Sequence, residues 1–306
     1  MEELHFTVTN DEKTERIDKY LSTKLDSDSF SRSYIQKLIK DSKVSVNGKI
    51  VKPNVKVSCG DEITVNVPDP EILDVVPEDI PLNIIFENDD YLIVNKPKEM
   101  VVHPSAGHYT NTLVNALLFH CKDNLSEING VLRPGIVHRI DMNTTGALIV
   151  CKNNNAHNSI AEQLKVHSIT RKYRGIVHGI VKEDELTINA PIGRHKTDRK
   201  KMAIVLDGKE AITHVRVIKR FKQYTYCEFT LETGRTHQIR VHMASIHHPL
   251  LGDYVYGPVK CPIKGLTGQT LHAMVIGFNE PQKGEYVEYE APIPEYFNKL
   301  LNTLPE

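Results

Sequence analysis

A carboxylate follows a Pro-Gly turn near the middle of the chain, in a setting typical of a catalytic group. The segment RPGIVHRIDMNTTGALIVCKN, residues 133–153, places Asp141 before a short polar loop that ends at Gly146 and leads into an apolar run typical of a buried strand. Catalytic groups are commonly held on such loops beside a rigid scaffold. Asp141 is therefore a candidate catalytic acid, and the alternative is that it only caps the MNTTG turn.

A second segment, ITRKYRGIVHG, surrounds an aromatic residue with cations. Tyr173 lies among Arg171, Lys172 and Arg174. An aromatic ring can stack on a nucleobase while neighbouring cations neutralise phosphates. The alternative is a strand tyrosine that packs beside solvated charges.

A third segment, LETGRTHQIRVHMASIHHPLLGDYVYG, contains an arginine on the edge of an apolar stripe. Ile239, Met243 and Ile246 have the spacing of a helix that follows Gly234. Arg240 lies beside this stripe, so we expect it to be partly buried and to need a carboxylate partner. Asp141 is the candidate partner.

The histidines of this third segment do not have the spacing of a metal site. His237, His242 and His247 are each five residues apart, which separates them by about 140° around a helix. No HExxH motif occurs in the chain. We therefore expect no metal site in this segment.

The composition is that of an ordinary globular protein with room for two domains. The chain has 306 residues, and none of its apolar runs approaches the roughly 20 residues of a membrane helix. Its N-terminus is acidic and polar rather than basic and then apolar. Five cysteines, none of them in a CxxC pair, predict neither a disulfide framework nor a zinc site, so we expect a cytoplasmic protein.

Charge is segregated along the chain although the net charge is only -1. Residues 68–90 contain acids and no Lys or Arg, whereas residues 165–222 contain fifteen Lys/Arg against six Asp/Glu. A polyanion is attracted to the basic stretch. The alternative is a solvated basic face without a partner.

The first 68 residues predict a small domain of two helices and a sheet. Thr14 is a candidate N-cap for a helix with Ile17, Tyr20, Leu21 and Leu25, and a second helix buries Ile35, Leu38 and Ile39. Asn47-Gly48 predicts a two-residue hairpin, and strands follow near residues 55–57 and 63–67. Residues 69–82 are rich in proline and acid and are interpreted as a linker.

Residues 83–306 predict a second, larger domain of class α+β with a largely antiparallel mixed sheet. Strand-like and helix-like segments are mixed without the regular alternation of a doubly wound parallel sheet. The expected strands include residue 86, 91–94, 147–150, 176–177, 211–217, 226–231 and 286–289, and the expected helices are 112–120 and 156–164.

The N-terminal run SRSYIQKLIKDSKVSVNGKIVKPNVKVSCGDEI resembles the alpha-L RNA-binding module named after a small-subunit ribosomal protein. The resemblance implies that the second helix and the following loop lie on structured RNA. The implied phosphate-contact residues are Arg32, Lys37, Lys40, Lys43 and Lys52.

The larger domain resembles the RluA/RluD-type RNA pseudouridine synthases. The matching phrases are LDVVPEDIPLNIIFENDDYLIVNKPKEMVVHPSAGH, RPGIVHRIDMNTTG, RKYRGIVHG and TGRTHQIRVHMASIHHPLLGD, with HRID where the family has HRLD. The resemblance implies that Asp141 is the catalytic aspartate, Tyr173 the base-contacting tyrosine and Arg240 the partner of the aspartate. Arg139 corresponds to a residue that fills the space of an extruded nucleotide, and Arg171 and Lys172 are further RNA-contact candidates.

The implied reaction is isomerisation of uridine to pseudouridine, with large-subunit ribosomal RNA as the preferred substrate. The reaction needs no cofactor, and we expect a monomer. Three alternatives stay open: a synthase that acts on transfer RNA, a non-catalytic ribosome-assembly factor, and a glycoside or nucleoside hydrolase. A hydrolase typically uses two cooperating acids, whereas the motifs offer Asp141 alone.

Overall fold

The computed structural model describes residues 2–9, 15–25, 32–67, 75–105, 107–122, 124–130, 133–198 and 200–306. The chain divides into two compact units, Met1–Leu73 and Asp74–Glu306. The predicted N-cap Thr14 and the side chain of Arg32 lie outside the described part. No described helix has the length and apolar character needed to cross a membrane.

The first unit packs two helices on small antiparallel sheets. Strand β1 pairs with β6, which pairs with β3, and β3 pairs with β4, while β2 pairs separately with β5. The core contains Ile17, Leu21, Ile35, Leu38 and Val65. The elements are β1 (Glu2–Thr7), β2 (Glu15–Arg16), α1 (Ile17–Lys24), α2 (Arg32–Lys40), β3 (Val44–Val46), β4 (Lys49–Ile50), β5 (Lys56–Val57) and β6 (Glu62–Val67).

The predicted hairpin is confirmed, and two strands, β1 and β2, were not predicted. Asn47 and Gly48 have φ values of 50° and 74°, the left-handed conformation that a two-residue turn between β3 and β4 requires. Strand β1 was missed although Leu4 and Phe6 alternate with polar residues, which is the pattern of a half-buried strand. Strand β2 has only two residues and is too short to show a pattern. Helix α1 begins at Ile17 with Arg16 as its N-cap residue.

The second unit is built on one nine-stranded sheet with helices packed against it. Its elements are β7 (Ile84–Glu87), β8 (Tyr91–Lys96), α3 (Leu113–Cys121), β9 (Thr145–Cys151), α4 (Asn154–Lys165), β10 (Thr170–His178), β11 (Glu185–Asn189), β12 (Ile192–Arg194), β13 (Met202–Ile204), β14 (Ile212–Arg220), β15 (Tyr224–Leu231), α5 (Gln238–Ser245), β16 (Leu271–Asn279), β17 (Tyr286–Glu290) and α6 (Glu295–Thr303).

The strand order is β11-β14-β15-β10-β16-β9-β8-β7, and β17 also pairs with β16. Among the strand pairs of the described residues, β9 with β16 is parallel and the others are antiparallel. This largely antiparallel sheet with helices confirms the predicted α+β class. Strand β16 joins the two halves of the sheet, because β9 lies on one side of it and β10 on the other.

Both faces of the β7–β9 half are covered by a helix. Leu92 and Leu148 pack in one core with Leu117 of α3, whereas Ile93 packs in another with Ile160 of α4. Helix α3 begins with a capping box in which Thr112 and Asn115 satisfy each other's backbone N–H. The strands between these helices are therefore rigidly held, and β9 leads directly out of the loop that carries Asp141.

Part of the predicted linker lies on the second unit. Val75 and Leu82 pack against its main core, and Asn115 Nδ2 donates a hydrogen bond of 2.8 Å to the carbonyl of Val76. The acidic segment from residue 75 to residue 82 is thus fixed along the larger unit by both apolar and polar contacts.

Candidate active site

Asp141 presents its carboxylate to a cavity and pairs with Arg240. The turn after it is closed by the backbone, since Thr144 N donates to the carbonyl of Asp141 at 3.0 Å. The carboxylate Oδ2 accepts a hydrogen bond of 2.9 Å from Nη1 of Arg240, and the side chain is 20% exposed. The carboxylate therefore points away from the turn, and the expected partnership with Arg240 is formed across 99 residues of sequence.

Arg240 is buried between two carboxylates. Its Nε and Nη2 donate to the two oxygens of Asp253 at 2.7 and 3.0 Å, and Nη1 is left for Asp141. Burial alone would lower the pKa of Arg240, but Asp253 and Asp141 outweigh it and raise this pKa above its usual value. The guanidinium is thus permanently charged and fixed in orientation by Asp253, which sequence reasoning did not select.

Asp253 is itself held by the backbone. Its Oδ1 also accepts from the N–H groups of Val255 and Tyr256 at 3.0 and 3.2 Å, and the residue is buried. The signal for Asp253 was present in the sequence as the last residue of HHPLLGD. An arginine fork has five donors, so a second carboxylate partner could have been expected.

Two cavities meet at Asp141. One of about 290 Å³ lies on the side of His103, Asn143 and Tyr254, and a narrower one of about 60 Å³ is lined by Tyr173 and Leu231. Tyr173 is 9% exposed, and its hydroxyl has no hydrogen-bond partner among the described residues. Burial is the main cause that raises the pKa of Tyr173, so its phenol is protonated and available to donate to a bound group.

Arg139 lines both cavities, and the residues beside it are fixed. Its side chain is exposed, whereas the following Ile140 is buried in the main core. His138 Nε2 accepts a hydrogen bond of 3.0 Å from the backbone N–H of Ile149 in β9. Burial and the charge of Arg171 lower the pKa of His138 to about 3, so this histidine stays a neutral acceptor.

The site thus combines the paired carboxylate of Asp141, the protonated phenol of Tyr173 and the exposed cation of Arg139 around two adjoining cavities of about 290 and 60 Å³. Residues 90–245 match the family model described as RNA pseudouridylate synthase, and residues 15–63 match the S4 domain. The chain belongs to the RNA pseudouridylate synthase family. The predicted activity class and the predicted N-terminal RNA-binding module are confirmed at this level.

Relatives of the family cover the whole chain. An uncharacterized RNA pseudouridine synthase of Bacillus subtilis is 53% identical over 99% of this chain and 99% of its own. The ribosomal large subunit pseudouridine synthase D of Zymomonas mobilis is 47% identical over 90% and 89%. The solved structure of human RNA pseudouridylate synthase domain containing 1 has a TM-score of 0.56 at 23% identity, covering 78% of this chain and 99% of that chain, and shares the fold.

Lys96 supports the loop that carries Asp141 from inside the core of this pseudouridylate synthase. It is fully buried, and its Nζ donates to the carbonyls of Pro97, Met100 and Met142 at 2.7, 2.8 and 2.9 Å. Burial lowers its pKa to about 7, while the charge of Asp141 and the three carbonyl acceptors favour the ammonium form. One side chain therefore ties the loop after β8 to the peptide that follows Asp141.

We expect Lys96→Met to cost about 3 kcal/mol or more of unfolding free energy, because three inward-facing carbonyls lose their donor. Turnover should fall roughly a hundredfold as Asp141 loses its support. Thermal unfolding and turnover measure the two effects. Lys98→Met is the control, since Lys98 lies only partly buried over the ring of Tyr296 at 4.3 Å. Equal stability and activity of the two variants would contradict this role.

His237 is a further group near the carboxylate that the motifs did not single out for chemistry. Its Nε2 lies 3.8 Å from Asp141 Oδ1, and its Nδ1 is 2.8 Å from the hydroxyl of Tyr256. It takes the left-handed φ of 59° at the N-cap of α5. Burial lowers its pKa more than the neighbouring Asp141 raises it, so the ring is held neutral beside the site.

The three histidines of the third motif have separate surroundings. His242 is buried with Thr213 and the carbonyl of Ala190 as partners, and His247 follows α5 in a left-handed conformation. Within the described residues, the one cluster with metal-ligand spacing is Glu87, His120 and Cys121. Both oxygens of Glu87 are already engaged there, by Lys152 and His120, each at 2.9 Å.

The predicted RNA-contact residues are brought together only in part. Arg171 and Tyr173 line one pocket, whereas Lys172 points to the opposite side of β10 because side chains alternate along a strand. In the first unit, Lys40 and Lys52 line a concave surface together with Arg16. The remaining two lysines, Lys37 and Lys43, do not line that surface.

Proposed function

We propose that this enzyme isomerises uridines of large-subunit ribosomal RNA, with Asp141 as the carboxylate that acts on the sugar. The observation that supports it best is the buried Arg240, which holds the Asp141 carboxylate at a cavity through Nη1 while its Nε and Nη2 bind Asp253. A lone carboxylate held in this way suits a reaction centre. A merely structural ion pair between Arg240 and Asp253 would not need Asp141 as a second carboxylate.

The reaction breaks the bond between C1′ and N1 of uridine, turns the uracil and forms a bond between C1′ and C5. The hydrogen on C5 leaves as a proton and N1 gains one, so the product is an isomer and no redox step occurs. Asp141 acts at the sugar, either by attack on C1′ or by removal of a proton. A nucleotide that fills the cavity displaces water from Asp141, and the walls of the cavity keep the freed base in place.

The substrate class follows from the relatives and from the N-terminal unit. Relatives in Zymomonas mobilis and Vibrio vulnificus carry the name ribosomal large subunit pseudouridine synthase D, at 47% and 42% identity. The S4 domain with Lys37, Lys40, Lys43 and Lys52 is suited to structured RNA, for which Arg32 is a further proposed contact. We place the enzyme in the cytoplasm, where ribosomes mature, and infer that it acts as a monomer without a cofactor.

The test is tritium release from RNA labelled at C5 of uridine. Unmodified transcripts of large-subunit ribosomal RNA and of transfer RNA are offered in parallel, and we expect release from the ribosomal transcripts alone. Release from transfer RNA alone would overturn the substrate but not the reaction. Tight binding of ribosomal RNA without release would favour the assembly-factor alternative.

We expect Tyr173→Phe to lower turnover roughly a hundredfold with little change in stability, because the ring keeps its packing and only the donor is lost. The raised pKa of Tyr173 keeps the phenol protonated in neutral and moderately alkaline solution. The pH profile of the wild type should therefore show no loss of activity from Tyr173 below about pH 10. Wild-type turnover by Tyr173→Phe would remove the hydroxyl from the mechanism.

A further inference from the structure

Arg171 is a buried arginine without a carboxylate. It is 8% exposed, its Nη2 donates to the carbonyl of Glu232 at 3.0 Å, and its Nε has no hydrogen-bond partner. No Asp or Glu of the described residues forms an ion pair with it. Arg240, at 5% exposure, has two carboxylates. A buried cation needs an opposite charge, so Arg171 lacks a counter-ion that its surroundings should supply.

The absence of a side chain at Gly234 leaves room for the guanidinium of Arg171. A Cβ on Gly234 would overlap Nη1 of Arg171, so any other residue at 234 would displace the side chain. Arg171 also shares its face of β10 with Tyr173, which lines the narrower cavity at Asp141. The position of this charge is therefore built into both the strand and the loop before α5.

Arg171 lines a pocket whose lining residues include several cationic side chains and no acidic one. The pocket has a volume of about 650 Å³, and none of its lining residues is Asp or Glu. Two of the cations have partial partners, since Lys165 lies 3.2 Å from Glu162 and Arg235 Nε donates to the carbonyl of Glu210. The charged or titratable lining residues are His138, Arg139, Lys165, His167, Arg171, Tyr173 and Arg235.

The location of this pocket relates it to the reaction. Arg139 and Tyr173 line both this pocket and the cavity that contains Asp141, so the two spaces share a wall. A nucleotide whose sugar lies at Asp141 carries a phosphodiester on each side of that sugar. One of these phosphates is the nearest anion that an RNA strand brings to Arg171.

We propose that the pocket around Arg171 binds a backbone phosphodiester next to the target uridine, with Arg171 as its central ligand and Lys165 and Arg235 around it. This inference rests on the proposed function, because it takes Asp141 as the place of the reacting sugar. The pocket then fixes the position of the strand while the uracil is detached from it.

The first test compares Arg171→Gln with the control Arg216→Gln on the ribosomal transcript that releases tritium. Arg216 is a half-exposed arginine of β14 that pairs with Glu228 at 2.7 Å. We expect Arg171→Gln to raise KM by about 10- to 100-fold with a small change in kcat. The slope of log affinity against log KCl should become shallower by about one. The control should match the wild type in all three quantities.

The second test needs no turnover. Inorganic pyrophosphate, added at constant ionic strength, should raise the thermal midpoint of the wild type and of Arg216→Gln but not of Arg171→Gln. Without ligand, Arg171→Gln should unfold no earlier than the wild type, because it removes an uncompensated buried charge. Arg171→Lys, which keeps a charge, should retain part of the pyrophosphate shift.

The two tests separate failure of the pocket from failure of the proposed function. Tritium release with unchanged KM and salt slope in Arg171→Gln, or an equal pyrophosphate shift in all variants, would overturn the pocket alone. Absence of release from every RNA with wild-type enzyme, while pyrophosphate still discriminates Arg171→Gln, would overturn the reaction and keep the anion site.

Discussion

Asp141→Asn should give a folded protein that binds ribosomal RNA and releases no tritium from it. The amide has the shape of the carboxylate but neither attacks a sugar carbon nor takes a proton from it, so turnover should fall about 10⁴-fold or more. Arg240 keeps both hydrogen bonds to Asp253, so the unfolding free energy should change by no more than about 1 kcal/mol. Turnover and thermal unfolding measure the two effects.

The control for this substitution is a carboxylate of the same unit that pairs with arginine on the surface. Asp184 is 85% exposed and lies 2.7 Å from Arg220. Asp184→Asn should keep wild-type turnover, because an exposed ion pair contributes little and lies outside the site. If Asp141→Asn retained a tenth of wild-type turnover, Asp141 would not be the reacting group.

Arg240→Met should lose both stability and activity. Removing the guanidinium leaves Asp253, whose side chain is 1% exposed, as a buried charge with no cation, which costs about 3 to 5 kcal/mol. Asp141 loses the hydrogen bond from Arg240, its one charged donor within 3 Å among the described residues, so turnover should fall by at least about a hundredfold. Chemical denaturation and tritium release measure the two losses.

The double variant Arg240→Met with Asp253→Asn separates the two roles of the arginine. Removing the buried charge of Asp253 should recover much of the lost stability, because the Asn can still accept from the N–H groups of Val255 and Tyr256. Activity should not recover, because Asp141 still lacks its partner. Recovery of both would mean that Arg240 acts only through stability.

The pairing of Asp141 with Arg240 could be predicted because the sequence indicates both that Arg240 is buried and that a carboxylate is available for it. An arginine beside an apolar helical stripe needs a carboxylate, and the motifs offered one. Lys96 could not be found in this way. At the end of the run YLIVNK it has the pattern of a solvated lysine, and only the folded chain brings three carbonyls around its Nζ.

The fold also has elements that the residue pattern predicted and elements that were missed. The strands near residues 91–94 and 147–150 were predicted from uninterrupted apolar runs, which buried strands require. Strand β16 was missed because LHAMVIGFN contains a histidine and a glycine, yet His272 is buried with Thr145 and the carbonyl of Ala291 as partners. Helix α6 was missed although Phe297, Leu300 and Leu304 have a readable helical spacing.

The position of β16 between the two halves of the sheet has a consequence for the chain during its synthesis. The first 245 residues contain Asp141, Tyr173 and Arg240, but the strand that seats β9 against β10 comes only at Leu271–Asn279. A nascent chain that has emerged up to α5 therefore contains all three residues, but its two groups of strands, β7–β9 and β10–β15, are not yet paired through β16. The candidate active site is therefore complete only after β16 has been synthesised, when residues 15–63 of the S4 domain have already left the ribosomal tunnel.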